Sequence, residues 1–387
     1  MTIYDLKEQF QQLETPFYYY DTELLDRTLE AAKQHAAILP QAHLHFAVKA
    51  NANPVVLRHI KEAGLGADCV SGGEIERCLE VGIPANKIVY AGVGKTDREI
   101  RLGIENDILC FNVESLPELK IINSLAAEMG KIARVALRIN PNIDAHTHKN
   151  ITTGLEENKF GISLDTMEAA IKLVNSLNHL ELYGLHFHIG SQILHFSCFE
   201  KLCKKINQIQ TNLERKGYPQ LKSINVGGGL GVDYVHPFKN PMADFKKYFA
   251  AFAYHLKLRP GQSLHFELGR SLSAQWGYLI TRTILVKKTE VKKFVIVDAG
   301  FTDLIRPALY QAHHQIVNLN GGARRITYDV VGPICESSDV FDTNIKLSPT
   351  HRGDLLAILS AGAYGYVMAS GYNCRKLPKE YTSEDFK

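Results

Sequence analysis

An alternation constrains this chain more than any other feature. Through its first two thirds, eight short apolar runs are separated by stretches whose apolar residues recur at helical spacing. The runs are Leu44–Ala50, Gly66–Ser71, Lys87–Gly92, Ile108–Ser115, Arg134–Asn140, Leu182–Gly190, Ser223–Gly229 and Ser263–Arg270. Most are apolar on both faces, as strands covered on both sides must be. Between them, Asn53–Ala63, Gly72–Val81, Leu116–Gly130, Ser163–Leu177, Phe199–Lys216 and Ala243–Leu256 read as helices. Eight β/α units in succession predict an α/β fold, a (β/α)8 barrel of the TIM type. An open doubly wound sheet competes, because periodicity does not show closure.

After about residue 275 the pattern changes. Thr281–Lys288, Lys293–Asp298, Ile326–Gly332 and Asp354–Ser360 read as strands with turn residues between them, which predicts a C-terminal all-β domain of sandwich or barrel-like type. Phe17–Asp21 is also strand-like and is expected to join that domain. The expected division is a barrel over 22–260 and a β domain from 1–21 plus 261–387, with the last barrel strand near 263–270 at the boundary. The longest loop candidate, Pro141–Phe160, spans about 20 residues, and loops of that length are usually functional or mobile. It is read as a mobile lid.

Composition narrows the class of function. A net charge of +3 over 387 residues, with no basic cluster interleaved with aromatics, argues against a nucleic-acid partner. The N-terminal MTIYDLKEQFQQLE has no apolar run resembling a signal peptide, and no stretch approaches the ~20 apolar residues of a membrane span. Seven scattered cysteines without a CxxC pair suit a reducing cytoplasmic setting.

Chemistry in such a barrel sits where strands end. The first strand ends in Phe46-Ala47-Val48-Lys49-Ala50-Asn51. A lysine held among barrel walls has its pKa lowered by burial, which favours the neutral amine needed for covalent catalysis. A snorkelling surface lysine is the plainer alternative. The sixth run ends in His186-Phe187-His188-Ile189-Gly190-Ser191-Gln192. Its HxH spacing places two imidazoles on one strand face, but no carboxylate cluster completes a metal site. A ring stacked on a flat cofactor suits His188, and a hydrogen-bonded core histidine suits His186. The seventh run leads into Gly227-Gly228-Gly229-Leu230-Gly231, whose bare backbone can approach a phosphate. The eighth ends in Glu267-Leu268-Gly269-Arg270, where a carboxylate could keep a pyridinium nitrogen protonated or simply pair with the arginine. Three further segments lie in the β-rich region: Asp303–Tyr310, Gly332–Asp339 and Ala361–Tyr366.

The motifs FAVKAN, HIGSQ, GGGLG, ELGR, GPICESSD and AGAYG, in this order from about Pro16 to Asn373, resemble the fold-type III pyridoxal-phosphate-dependent decarboxylases. The fuller resemblance is to the diaminopimelate decarboxylase family, which Thr153-Gly154 and Lys159-Phe160-Gly161 also match. The resemblance implies a pyridoxal 5'-phosphate enzyme that decarboxylates meso-2,6-diaminopimelate to L-lysine. Lys49 would be the covalent anchor, His188 would stack on the ring, and Glu267 would face its nitrogen. Ser191, Gly228, Gly229, Gly269 and Arg270 would surround the phosphate, with Tyr364 close by. Arg270, Arg306, Tyr310, Glu336 and Tyr364 match substrate-contacting positions. Cys335 matches the residue that protonates the product. The family's homodimers share their sites between protomers.

Two departures stand out. Leu268 replaces the family's usual proline, and Cys374–Lys387 replaces its usual last strand with a charged tail. Asp144, His146 and His148 form a DxHxH in the long loop, read as part of the lid rather than as metal ligands. Three rivals share some of these features. An ornithine- or arginine-type decarboxylase would want acids, not Arg306, at the distal end of the substrate. A racemase would have no use for the Cys335 motif. A non-catalytic cofactor-binding barrel would lack the large β domain.

Overall fold

The computed structural model describes residues 2–143 and 159–386. Asp144, His146, His148, Thr153 and Gly154 lie outside the described residues. The chain divides into two compact units: Thr28–Gly231 with Asp244–Leu272, and Met1–Arg27 with Val232–Ala243 and Ser273–Lys387.

The sheet unit begins with β1 (Phe17–Tyr20). The barrel strands follow as β2 (Ala42–Ala47), β3 (Gly66–Cys69), β4 (Ile88–Tyr90), β5 (Cys110–Val113), β6 (Ala133–Arg138), β7 (Leu180–His186), β8 (Ser223–Asn225) and β9 (Ser263–Leu268). They pair in parallel in sequence order, and β9 returns to β2 with Ala42 opposite Leu264 and His45 opposite Glu267. The barrel is closed; the open sheet is excluded.

Strands run two to four residues shorter at their C-terminal ends than most of the apolar runs suggest. The apolar run continues because residues past the last ladder hydrogen bond still face the core: Val48, Phe187 and Val226 are all buried beyond their strand ends. Helices begin where side chains can cap them. Ser71, Ser115 and Thr96 each accept a hydrogen bond from the backbone three residues on. Thr96 and Glu99 form a reciprocal capping box that starts Asp97–Glu105, a helix the periodicity alone does not bring out. Thr22–Ala36 is likewise a helix where the sequence reading placed none.

The remaining strands belong to the sheet unit: β10 (Gly277–Lys288), β11 (Lys293–Val297), β12 (Ile316–Asn318), β13 (Ile326–Val331), β14 (Val340–Leu347), β15 (Leu355–Ile358) and β16 (Lys379–Thr382). Their order is β12-β15-β10-β11-β13-β14, with β1 pairing antiparallel to β10 and parallel to β16. The expected tail is therefore part of the sheet: β16 pairs residue for residue with Phe17–Tyr20. Beyond it, Phe386 packs edge-on against Phe10 at 5.5 Å and against Tyr19 at 5.8 Å. Among the described residues, no helix is long and apolar enough to cross a membrane.

Candidate active site

The barrel's chemistry gathers around Glu267, at the C-terminal end of β9. One carboxylate oxygen meets His186 Nε2 at 2.8 Å; the other accepts from Asn112 Nδ2 at 2.9 Å and Asn225 Nδ2 at 2.7 Å. Burial by itself would push this carboxyl up. The charge and hydrogen bond of His186, with the charge of Lys49 adding to them, hold it well below the usual carboxylate range. It is thus a buried carboxylate kept ionised. Asp68, on β3, behaves oppositely: burial first, then the nearby Glu267 charge, raise it well above its ordinary value, against the pull of Lys49. Two neighbouring carboxyls are pushed apart by their surroundings, a hallmark of functional sites.

Lys49 does not stand on the strand. It lies on a single 3₁₀ turn, Val48–Ala50, just past β2, and its side chain is 42% exposed with Nζ 3.7 Å from Asp68 Oδ2. The barrel does not wall the amine in as the sequence reading expected; what it supplies is a buried acid beside a reachable amine.

His188 also lies beyond its strand. Its Nδ1 accepts the Gly228 N–H at 3.3 Å, so that nitrogen carries no proton. Burial, then the charges of Arg138 and Lys49, hold the ring far below the usual histidine range, so it is a neutral flat surface. Arg138, at the end of β6, is itself clamped: Nη1 donates to Glu114 Oε1 at 2.6 Å, and its guanidinium lies 4.6 Å from the centre of the Phe160 ring. Arg270 donates twice to Ser191 Oγ, at 3.0 and 3.3 Å. Gly228 admits no side chain, since a Cβ there would sit 2.0 Å from the Glu267 carbonyl oxygen. Its place is set by close backbone packing as well as by any phosphate. An exposed amine, an ionised buried carboxylate, a neutral imidazole and an arginine–serine corner beside bare glycine backbone fit pyridoxal phosphate.

In the sheet unit, Arg306 opens the short helix Arg306–Tyr310 and is buried, 4% exposed. Its Nη1 lies 2.8 Å from His314 Nε2, and its guanidinium carbon lies 4.9 Å from the Tyr234 ring centre. Tyr310 is half-buried, and Cys335 and Glu336 are exposed. Glu336 Oε1 accepts from the Tyr372 hydroxyl at 2.7 Å, and the Cys335 N–H donates to Asn373 Oδ1 at 3.3 Å. Asp339 shapes this turn by accepting the Phe301 and Ile334 N–H groups, each at 2.7 Å. Tyr364 adopts a left-handed backbone, φ 55°. Among the described residues, no group of three or more His, Cys, Asp and Glu is placed to hold a metal ion.

Sequence reasoning overlooked Asn112, Asn225, Asp68, Arg138 and His314; it read His186 as a hydrogen-bonded core histidine, and the structure adds that its partner is Glu267. A usable signal was present for the two asparagines: each is a lone amide inside an apolar strand, Cys110–Val113 and Ser223–Asn225, where a polar group needs a buried partner.

The sequence family described as "Pyridoxal-dependent decarboxylase, pyridoxal binding domain" matches residues 25–274. The chain is 58% identical to diaminopimelate decarboxylase of Bacteroides thetaiotaomicron over 378 residues, covering 98% of each chain. The solved diaminopimelate decarboxylase of Helicobacter pylori, complexed with L-lysine, superposes with a TM-score of 0.91 at 40% identity, covering 98% of this chain and 94% of that one. The Methanocaldococcus jannaschii enzyme, also complexed with L-lysine, gives 0.87 at 34% identity over 99% and 90%.

Proposed function

This chain belongs to the diaminopimelate decarboxylase family of pyridoxal-dependent decarboxylases, and from that membership we infer that it converts meso-2,6-diaminopimelate to L-lysine and carbon dioxide, the last step of lysine biosynthesis. The observation that carries the reaction class is Glu267, a fully buried carboxylate that His186 keeps ionised within reach of the Lys49 charge. Pyridoxal phosphate, when bound, supplies an electron sink for the pair left on the α-carbon by loss of carbon dioxide.

The chain's own residues do the rest in this reading. Lys49 Nζ anchors the cofactor. Glu267 faces the ring nitrogen and holds a proton there. His188 presents a neutral ring face. Ser191, Gly228, Gly229, Gly269 and Arg270 hold the phosphate, with Tyr364. Cys335 Sγ delivers the proton to the product's α-carbon. Diaminopimelate carries a second amino-acid group at its far end; Arg306 receives that carboxylate and Glu336 its ammonium, while Arg270, Tyr310 and Tyr364 contact the substrate.

The same reading makes the working unit a homodimer in which Lys49 of one protomer acts with the partner's Cys335 and the partner's Glu336. The exposure of Cys335 and Glu336 supports it. In this reading a barrel over about 22–260, completed by the strand at 263–270, binds the cofactor and the remainder forms the β domain, although Val232–Ala243 clusters with the sheet unit. Seven free thiols suit a reducing cytoplasmic setting.

The test is substrate choice. A guanidinium recognises a carboxylate by paired hydrogen bonds and repels a bare ammonium. Purified protein with meso-diaminopimelate should release lysine and carbon dioxide, and should strongly prefer it to ornithine, lysine and arginine. Truncating a buried charged partner typically costs about 2–5 kcal/mol, so Arg306→Ala should lose most of its kcat/KM on diaminopimelate and much less of any residual activity on a substrate without the distal carboxylate. Comparable wild-type efficiency on ornithine would return the ornithine-type decarboxylase to first place.

A further inference from the structure

A buried arginine that is to bind an anion faces a conflict. It needs a partner to hold its side chain still, yet a carboxylate partner would cancel the charge the ligand requires. The surroundings of Arg306 resolve that conflict. The helix Arg306–Tyr310 ends at Gln311 in a left-handed conformation, φ 52°, and the Ala312 N–H turns back to the Arg306 carbonyl at 3.3 Å. This reversal brings His314 beside the guanidinium. The imidazole is only 1% exposed and is held at both nitrogens.

Its protonation state follows from its partners. Nδ1 lies 2.8 Å from the Leu359 carbonyl oxygen, which can only accept, so Nδ1 carries the hydrogen. Nε2 lies 2.8 Å from Arg306 Nη1, which can only donate, so Nε2 offers its lone pair. His314 in this geometry is therefore the neutral Nδ1–H tautomer. A neutral ring takes one guanidinium N–H without setting a negative charge against it. Tyr234 completes the support, with its ring 4.9 Å from the guanidinium carbon and edge-on to His314 at 5.1 Å. The Leu359 N–H donates in turn to the Gln315 carbonyl at 2.9 Å, so Leu359, just past β15, holds both the ring and the next residue's backbone.

We propose that His314 is the positioning residue that fixes Arg306 as a receptor for the substrate's distal carboxylate, acting as a charge-free acceptor anchored on the Leu359 carbonyl. The proposal rests on the reading of Arg306 given above.

Two substitutions separate positioning from packing. His314→Phe keeps an aromatic ring against Tyr234 and removes both hydrogen bonds. His314→Gln loses the ring and retains an amide N–H for Leu359 and an amide oxygen for Arg306. A packing role would spare the phenylalanine variant; a positioning role spares the glutamine variant. Losing a hydrogen bond to a charged group should raise KM for diaminopimelate roughly tenfold in His314→Phe, with a smaller effect on kcat and a smaller loss on lysine, and His314→Gln should recover most of it. In an Arg306→Ala background, His314→Phe should add little further loss, because the two act as a unit. Nitrogen-15 spectra of the wild-type protein should show His314 as the neutral Nδ1–H tautomer. The proposal is overturned if phenylalanine is tolerated and glutamine is not, if both are equally impaired, if the His314 and Arg306 losses add, or if His314 carries its hydrogen on Nε2. Should Arg306→Ala raise KM while His314→Phe does not, positioning by His314 fails and the substrate reading stands. Should Arg306→Ala leave KM for diaminopimelate unchanged, the substrate reading fails and takes this proposal with it.

Discussion

At the scale of single residues, the site works by contrast between like groups. Glu267 and Asp68 are both buried carboxyls, yet one is held ionised by His186 and two asparagine amides while the other is pushed towards its neutral form. Lys49 lies between these influences, half-exposed and 3.7 Å from Asp68. Two other lysines of the barrel unit are already committed: Lys95 to Glu118 at 2.6 Å and the Gly92 and Asn112 carbonyls, and Lys131 to the Ile104 and Glu105 carbonyls. Neither is placed to take over from Lys49. Lys49→Ala should therefore lose turnover together with the visible absorbance of lysine-bound cofactor, while its far-ultraviolet circular dichroism stays native. An unchanged visible spectrum would remove Lys49 from the central role.

At the scale of elements, the seam where β9 meets β2 carries a cluster of histidines. His45 on β2 and His265 on β9 share a hydrogen bond of 2.9 Å between Nε2 and Nδ1, and their rings stack at 5.2 Å. His43 stacks on His265 at 4.9 Å. The layer leaves no room on the neighbouring strand, since a Cβ at Gly66 would sit 2.3 Å from the Lys87 carbonyl oxygen and 2.5 Å from His45 Nδ1. Burial lowers His45 from 6.5 to about 4 and His265 from 6.5 to about 2, with the neighbouring His45 and His43 adding to the second. The sign follows directly. Below the unfolded value of 6.5, the unfolded chain binds protons that the folded barrel refuses, so stability falls as the pH drops. For His45 that loss runs from pH 6.5 until its folded value near 4; for His265 it continues further into acid. The urea midpoint should decline across pH 6.5 to 4, and His45→Asn should flatten that slope by about one proton. An identical slope in wild type and variant would show that these rings do not govern acid stability.

At the scale of the whole molecule, two compact units carry complementary halves of the predicted chemistry. Lys49, His188, Ser191, Gly228, Gly229, Glu267, Gly269 and Arg270 belong to the barrel unit; Arg306, Tyr310, Cys335, Glu336 and Tyr364 belong to the sheet unit. If sites are shared between protomers, two different inactive chains contain one intact site between them. Mixing Lys49→Ala with Cys335→Ala protein under conditions of subunit exchange should restore part of the activity, up to about a quarter of wild type by random pairing, since half the dimers are mixed and each holds one whole site. Demonstrated exchange with no recovered activity would sink the shared-site reading while leaving the chemistry of each residue untouched.

Local pattern was sufficient for the β/α alternation, the all-β character after residue 275 and the residues just past the strand ends, because periodicity and glycine-rich turns are properties of neighbouring residues. Closure of the barrel was not legible, since it depends on β2 meeting β9 across more than half the chain. The shell around Glu267 was hidden for the same reason: Asn112, His186 and Asn225 lie 155, 81 and 42 positions away in sequence. The charged run after Cys374 reads as a tail until its backbone finds Phe17–Tyr20, and only that pairing makes it a strand. His314 carries no motif at all; its role appears once a left-handed turn sets it between an arginine and a carbonyl. Sequence thus determined the β/α alternation and offered candidate reactive residues at the strand ends. Tertiary structure decided which charges meet, because hydrogen bonds and ion pairs act over a few ångströms of space regardless of the length of chain between their partners.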